Sequence, residues 1–298
     1  APFYAIFFGL MLADVGYGAI MSILCFLVLK KFKPEGNIQK FMKVFFYCGI
    51  STAFWGVMFG SWFGDAIPAA AKLLFNSDFT IKPLWLNPME EPMTLLLFSF
   101  IFGVIHLFTG MAVNAYMLIR DGKTLDAVFD IGFWYGFIIG IALWLFGNTV
   151  IPGSNQIGKW MTIIFAIGLV LTQGRAKKNV VGKLISGVLS LYNITSYLSD
   201  ILSYSRLLAL GLATGVVSSV VSILGSMGGR NVLGILLFVV AMTIGHTFNF
   251  AINALGAFVH SARLQYVEFF GKFYEGGGEA FNPLIKKTKY YKIIKEDN

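Results

Sequence analysis

Long apolar runs separated by short polar segments are the feature that most constrains how this chain can fold. Several of them exceed about 18 residues, the length at which an apolar run predicts a membrane-spanning helix. Only 13% of the 298 residues are charged and 57% are apolar, whereas a soluble domain carries about 25% charged residues. The sequence therefore predicts an all-α polytopic membrane protein that lies in a lipid bilayer, and it argues against a soluble globular domain.

The order of the apolar runs predicts how the chain is organised. The runs are Pro2–Ala13, Tyr17–Leu29, Phe41–Gly64, Met93–Ile119, Leu125–Ile151, Ile157–Gln173, Lys183–Ser226 and Asn231–Lys272. The segment 1–182 is predicted to hold peripheral, anchoring membrane helices, 183–272 two long tilted helices, and 273–298 a cytoplasmic tail. The chain begins directly in apolar sequence without a charged leader, which indicates a start inside a helix of a longer polypeptide.

The last two apolar runs are too long for a simple crossing of the bilayer. At about 1.5 Å per residue, a helix of roughly 40 residues reaches about 60 Å, twice the thickness of a bilayer core. These helices must therefore tilt steeply, break, or project from the membrane.

Basic residues alternate between successive loops and so predict the orientation of the chain. The loops that begin at Lys30, Arg120 and Arg175 are rich in lysine and arginine, and so is the C-terminal tail. The loops Asp65–Pro92 and Met227–Arg230 hold few basic residues. Because basic loops stay in the cytoplasm, the first group and the C-terminus are predicted to be cytoplasmic. The net charge of +8 is then a signal of topology, and no nucleic-acid partner is predicted.

A polar stripe runs along the first of the two long helices and ends at an arginine. Residues that share one helical face recur at spacings of three and four. In that rhythm the stripe consists of Tyr192, Ser196, Ser199, Ser203 and Arg206. The residues that continue the face beyond the arginine are apolar. Since this helix is predicted to run from the cytoplasm outward, the stripe covers its cytoplasmic half.

A second polar stripe covers the opposite half of the last helix. Its members are His246, Asn249, Asn253, His260 and Arg263. An arginine near the bilayer centre costs from about 3 to more than about 10 kcal/mol, so two such stripes indicate a function. We interpret them as two water-accessible tracks that come from opposite sides and each end at an arginine. The alternative is close packing of the helices, in which small and polar residues form interhelical hydrogen bonds.

Four further polar residues lie in or beside apolar runs. Asp200 is six residues before Arg206, about 240° around the helix. It therefore lies on a different face of the helix, where it either lines another surface or pairs with another residue. Asp14 stands beside glycines and suggests a helix break with a capping carboxylate. His106 and Asp130 are single polar groups for which satisfied contacts between helices are expected. Asp200 and Asp14 remain candidate acids of the tracks.

The sequence contains none of the motifs that mark a soluble catalytic site. It has no phosphate-binding loop of the form GxxxxGK[ST], no HExxH metal motif and no cysteine and histidine cluster. Cys25 and Cys48 lie inside apolar runs and are predicted to be inert packing residues. No cofactor and no metal site is predicted in this chain.

Three segments resemble the membrane domain of the stator subunit of V/A-type rotary ATPases, called subunit a or subunit I. They are FFGLMLADVGYG (Phe7–Gly18), SYSRLLALGLA (Ser203–Ala213) and HSARLQYVEFFGKFYEGGG (His260–Gly278). The resemblance covers essentially the whole chain and is closest to the bacterial or archaeal branch. It implies about eight membrane helices, the first two of which meet near Asp14, and a cytoplasmic N-terminal domain that this sequence lacks.

The resemblance also implies a function in ion transport across the cell membrane. The two arginines that this family needs for ion translocation map onto Arg206 and Arg263. The implied partners are a rotating ring of proteolipid c/K subunits, each with a membrane carboxylate, and the soluble ATPase sector, reached through peripheral stalks on the N-terminal domain. The nucleotide site of such a rotary ATPase would lie outside this chain.

The chain departs from the family pattern at two positions. Tyr192 and Asn253 stand where eukaryotic members carry membrane glutamates, so the acid is expected from Asp200, from His246 or His260, or from water alone. Arg263 lies farther from the hairpin than Arg206 does, so a break or an unequal tilt must bring both to the ring. The alternative function is a secondary ion-coupled transporter with broken helices, which predicts an internal inverted repeat that the sequence does not show.

Overall fold

A computed structural model describes residues 2–77, 79–150, 153–175, 179–274 and 276–278. Within these ranges the regular structure is entirely helical, which confirms the predicted all-α class. The helices are α1 Pro2–Leu12, α2 Val15–Lys31, α3 Asn37–Phe59, α4 Ala66–Phe75, α5 Pro92–Arg120, α6 Thr124–Asp126, α7 Phe133–Val150, α8 Ser154–Gln173, α9 Val180–Leu191, α10 Ile194–Ser203, α11 Ser205–Ser226 and α12 Val232–Arg263. Most of the predicted tail, 273–298, lies outside the described residues.

Six helical stretches of the described chain are long and apolar enough to cross a membrane. They are Asn37–Phe59, Pro92–Arg120, Thr124–Leu145, Ser154–Gln173, Val181–Ser226 and Val232–Lys272. A π-helical segment, Ala127–Gly132, joins α6 to α7 and makes them one continuous stretch. The resemblance implies about eight membrane helices, but α1 and α2 are only 11 and 17 residues long. The described chain thus has six candidate spans of a multi-pass membrane protein.

The turn between α1 and α2 is held by a buried carboxylate. Asp14 is fully buried, and its Oδ1 accepts hydrogen bonds from the backbone N–H groups of Tyr17 at 3.0 Å and Phe63 at 3.1 Å. Its Oδ2 accepts from the Ser61 hydroxyl and from the Gly64 N–H, both at 2.7 Å. This confirms the predicted helix break with a capping carboxylate, and it ties that break to the segment after α3.

The described helices bury two separate apolar cores. The first joins α1, α2 and α3 to α11 and α12, with Phe7, Tyr17 and Leu207 among its buried residues. The second joins α5, α7 and α8 around Leu107 and Trp134. Side chains of α9 and α10 pack on the second core, whereas those of α11 belong to the first. The long penultimate run therefore bridges the two cores.

The length of the two long runs predicts that they tilt, break or project from the membrane, and both contain local irregularities. The run Lys183–Ser226 is interrupted after α9 and again at Tyr204, where the N–H of Tyr204 bonds the Ile201 carbonyl at 3.1 Å. Such a bond from residue i to i−3 tightens the helix locally. In the last run, α-helical geometry gives way to π-helical geometry at Leu264–Phe269, directly after α12. Each predicted arginine thus lies within two residues of an irregular turn.

Candidate functional site

The register between α11 and α12 determines where the two predicted arginines lie. Three pairs of residues face each other across these helices: Val221 and Gly245, Ser218 and Asn249, and Leu210 and Gly256. Glycine at position 245 lets the Val221 side chain approach the backbone closely. The spacing between the pairs is nearly equal on both helices, so the register is constant over this length.

In the same register Arg206 lies opposite His260, and Arg263 follows less than one turn further along α12. Three residues of an α-helix rise about 4.5 Å, so the two arginines lie at similar depths. His260 is within electrostatic range of both guanidinium groups. The sequence suggested that the two arginines differ in depth, but the difference is small. A residue of α11 faces a residue of α12 that lies farther along the chain from the hairpin, as Leu210 and Gly256 show.

Arg206 faces a buried acid that the sequence analysis did not identify. Its Nη1 lies 3.5 Å from Oε1 of Glu268, with 24% of the arginine side chain and 3% of the glutamate side chain exposed. Ser203 donates a hydrogen bond from its hydroxyl to the same carboxylate oxygen. Oε2 of Glu268 and Nη1 of Arg206 are both buried and have no hydrogen-bond partner among the described residues.

Arg263 has a different environment. Its side chain is exposed, and no ion pair involving it is found in the described part of the chain. It is the last residue of α12, immediately before the π-helical segment that carries Glu268. The two arginines therefore differ in that Arg206 has a carboxylate beside it, whereas the charge of Arg263 faces outward.

The first polar stripe lies on the surface of the chain. Tyr192, Ser196 and Ser199 are exposed, and Ser203 and Arg206 are half-buried. The breaks at Tyr192 and Tyr204 divide this stripe among α9, α10 and α11. These polar groups are therefore available to whatever covers this face of the chain.

The second polar stripe, by contrast, is packed inside the chain. Asn249 is 1% exposed, and its amide group donates to the Tyr17 hydroxyl at 3.1 Å and to the Ser218 hydroxyl at 2.9 Å. Asn253 donates in turn to the Asn249 carbonyl at 3.0 Å. The Tyr17 hydroxyl also lies 2.7 Å from Nδ1 of His246. These residues form a continuous hydrogen-bonded network between α2, α11 and α12.

A polar pocket of about 350 Å³ lies next to this network. Its lining includes Ser61, Gly64, Asp65, Asn87, Glu90, Thr214 and Ser219. The amide of Asn249 also bonds the Thr214 carbonyl, at 3.2 Å, so pocket and network meet at Thr214. The loop after α3 thus brings polar groups to the end of the buried stripe.

The two candidate acids predicted from the sequence, Asp200 and Asp14, bind partners other than the two arginines. Asp200 forms an ion pair with Lys272, which confirms that it pairs elsewhere. The Lys272 ammonium also lies over the Tyr197 ring, 4.4 Å from its centroid. Asp14 caps α2. The signal that could have identified Glu268 is its position as an ionisable residue in an apolar run, since such residues are functional by default.

His106 and Asp130 both make contacts between helical segments, as the sequence predicts, although Nε2 of His106 has no hydrogen-bond partner among the described residues. Nδ1 of His106 lies 2.7 Å from the Tyr204 hydroxyl, and the Phe269 ring stacks on the imidazole with centroids 4.5 Å apart. Asp130 pairs with Arg175. The first contact connects α5 to the break beside Arg206.

Known proteins resemble this chain over nearly its whole length. Residues 191–285 match the profile of the V-type ATPase 116kDa subunit family. The chain is 34% identical to the A-type ATP synthase subunit I of Methanocaldococcus jannaschii, over 97% of this chain and 44% of that protein. It is 36% identical to the A-type ATP synthase subunit I of Pyrococcus horikoshii, over 96% and 42%.

A bacterial relative is more distant. The V-type ATP synthase subunit I of Borreliella burgdorferi is 26% identical over 96% of this chain and 48% of that protein. The chain thus spans less than half the length of these curated relatives. Because the matches cover nearly all of it and carry the same subunit name, the chain belongs to the subunit I family of the A-type and V-type ATP synthases.

Proposed function

We propose that this chain is the ion-translocating membrane part of the stator of a rotary A/V-type ATP synthase. In this proposal Arg206 and Arg263 act on the carboxylates of a rotating proteolipid ring. The observation that carries it is that two arginines more than 50 residues apart in sequence come within one helical turn of the same depth. Two guanidinium groups at one level can meet the same ring of acids.

The chemistry follows from the cost of burying a charge. An ion that reaches a ring carboxylate neutralises it, and only the neutral form can face lipid without a large desolvation penalty. When the ring brings that group to the arginines, their positive charge favours the ionised form, and the ion is released. Arginine suits this role because it stays charged when desolvated. A membrane potential adds about 2.3 kcal/mol per charge per 100 mV.

The two stripes supply the proposed half-channels. The exposed stripe from Tyr192 to Ser203 would form the cytoplasmic half-channel together with the ring that covers it. The buried network from His246 to Asn253 would form the outer half-channel, reached through the polar pocket at Thr214. The permanent positive charges at the end of each track oppose a direct leak of cations between them.

The remaining parts of the chain take supporting roles in this proposal. The segment 1–182 anchors the subunit in the cell membrane, and 183–272 faces the ring. The C-terminus lies in the cytoplasm, and the soluble ATPase sector is held through parts of the full-length subunit beyond this chain. Asp14 serves as a structural cap and carries no ion.

The test is Arg206→Ala in the intact ATP synthase complex reconstituted into vesicles. We expect ATP-driven ion uptake to fall to background while the complex still assembles, because no fixed charge then drives release from the ring. Arg120→Ala is the matched control, since Arg120 pairs with exposed Asp121 at 3.7 Å and lies outside both polar stripes. Normal uptake by the Arg206→Ala complex would contradict the proposal.

A further inference from the structure

Glu268 is a buried acid of the site to which the proposed function assigns no role. Its carboxylate is 2% exposed, which is costly for a charged group unless it is paired. Its neighbours are Arg206 at 3.5 Å and the Ser203 hydroxyl. The inference drawn here rests on the proposed function and concerns how this acid modifies it.

The geometry of the pair is loose. A charge-assisted hydrogen bond between a guanidinium and a carboxylate is about 2.7–2.9 Å long and is frequently bidentate. The Arg206 and Glu268 atoms are 3.5 Å apart, and Nη1 makes no hydrogen bond within the described chain. Arg206 is therefore attracted by Glu268 without a hydrogen bond from Nη1, and the exposed 24% of its side chain can present other guanidinium N–H groups to a second carboxylate.

Two other charges near this pair, Asp200 and Lys272, offset each other. Asp200 and Lys272 pair with each other, and the Tyr204 hydroxyl is engaged by His106. Glu268 is thus the negative charge that offsets Arg206. Arg263, which is exposed, has no such offset among the described residues.

We infer that Glu268 is an internal counter-ion of Arg206 that weakens the hold of this arginine on a ring carboxylate. It positions Arg206 and lowers the positive potential at the place where the ring acid passes. The ring acid can then rebind a cation and leave. Without Glu268, the full charge of Arg206 would favour the ionised ring acid, and loading would require a higher cation concentration.

The experiment compares Glu268→Gln, Glu268→Asp and wild type in the intact complex in vesicles. ATP-driven uptake is measured against the concentration of the transported cation, varied as pH or as Na⁺, to obtain the half-saturating concentration and the maximal rate. At an effective dielectric constant of about 20, removing one charge within about 10 Å raises the half-saturating concentration about tenfold for Glu268→Gln. Glu268→Asp, which withdraws the charge by one methylene, raises it about twofold to threefold.

The control is Asp130→Asn, which neutralises an arginine-paired acid elsewhere in the same chain and leaves the half-saturating concentration unchanged. Passive cation leak without ATP stays at the wild-type level in both Glu268 variants. A fall in maximal rate with no change in half-saturation, or a rise in passive leak, would overturn the inference and assign Glu268 a purely structural role. If Glu268→Gln fails to assemble, an unchanged half-saturation in Glu268→Asp overturns it equally.

The same measurements separate this inference from the proposed function. If Arg206→Ala abolishes uptake while both Glu268 variants keep the wild-type half-saturation, the counter-ion role fails and the arginine mechanism stands. If Arg206→Ala transports normally, the proposed function itself fails.

Discussion

The Tyr204 hydroxyl lies 2.7 Å from Nδ1 of His106, and both side chains are fully buried. Tyr204 is the residue at which α10 ends and α11 begins, two positions before Arg206. The hydrogen bond therefore connects α5 directly to the break that orients the arginine.

Tyr204→Phe should destabilise the protein by about 1–3 kcal/mol, because it leaves Nδ1 of a buried histidine without a partner. The measurement is the unfolding midpoint of the purified protein in detergent. Tyr116→Phe is the control, since Tyr116 is 66% exposed and should unfold like wild type. Equal midpoints for both variants would show that the buried hydrogen bond contributes nothing.

Asp14→Asn should cost about 2–4 kcal/mol of stability. The two carboxylate oxygens each accept two hydrogen bonds, and an amide nitrogen in place of one oxygen would face donors it cannot accept from. Thermal unfolding of the variant is compared with that of Asp65→Asn, which alters an exposed acid bonded to Ser219 and should cost under about 1 kcal/mol. A small effect at Asp14 would argue against its role as a cap.

Gly56→Ala should disrupt the contact between α3 and the turn before α2. A Cβ atom at Gly56 would lie 2.3 Å from the Val15 backbone nitrogen and 2.6 Å from the Asp14 carbonyl carbon, so the backbone would have to shift. Overpacking of this kind costs about 1–3 kcal/mol. Gly271→Ala is the control, because no atom lies within 4 Å of its Cβ position. Both variants are assessed by expression level and unfolding midpoint, and equal stability would contradict the close packing.

Cysteine labelling tests whether the two stripes carry water in the assembled complex. Ser199→Cys should react with a membrane-impermeant thiol reagent from the cytoplasmic side, and Asn253→Cys from the outer side, because only a thiol in water forms the reactive thiolate. Leu255→Cys, which is 65% exposed toward the proposed lipid face, should not react. The native Cys25 and Cys48 are buried and should give little background.

If neither Ser199→Cys nor Asn253→Cys reacts, the stripes are dry packing seams. If both react from the same side, the assignment of two opposed half-channels is wrong, whereas the family membership of the chain is unaffected.

Features encoded by neighbouring residues were predictable from the sequence, and features encoded by distant partners were not. The Asp14 cap follows from an acid beside glycines, and helix length alone predicts that the last two runs tilt, break or project from the membrane. The position of the break at Tyr204 could not be predicted, because no proline or glycine marks it and its partner, His106, lies 98 residues away. The pairing of Asp200 with Lys272 could not be predicted either, because the two residues are 72 positions apart.

Glu268 was missed for a geometric reason. In a regular α-helix, five residues turn about 500°, which would place Glu268 about 140° from Arg263 and outside the polar stripe. A search along one face at spacings of three and four therefore passes over it. Its contacts with Arg206 and Ser203 show that this residue belongs to the site.

The π-helical segment Leu264–Phe269 has a mechanical consequence for the whole site. A π turn holds one more residue than an α turn, and this extra residue rotates everything that follows by about 100°. Regular α geometry would place Glu268 about 140° from Arg263, so the π turn brings this acid toward the helix face that meets Arg206 of α11. A turn of ordinary α geometry at this place would carry the acid away from Arg206, so the contact between the two longest helical runs depends on this single π turn.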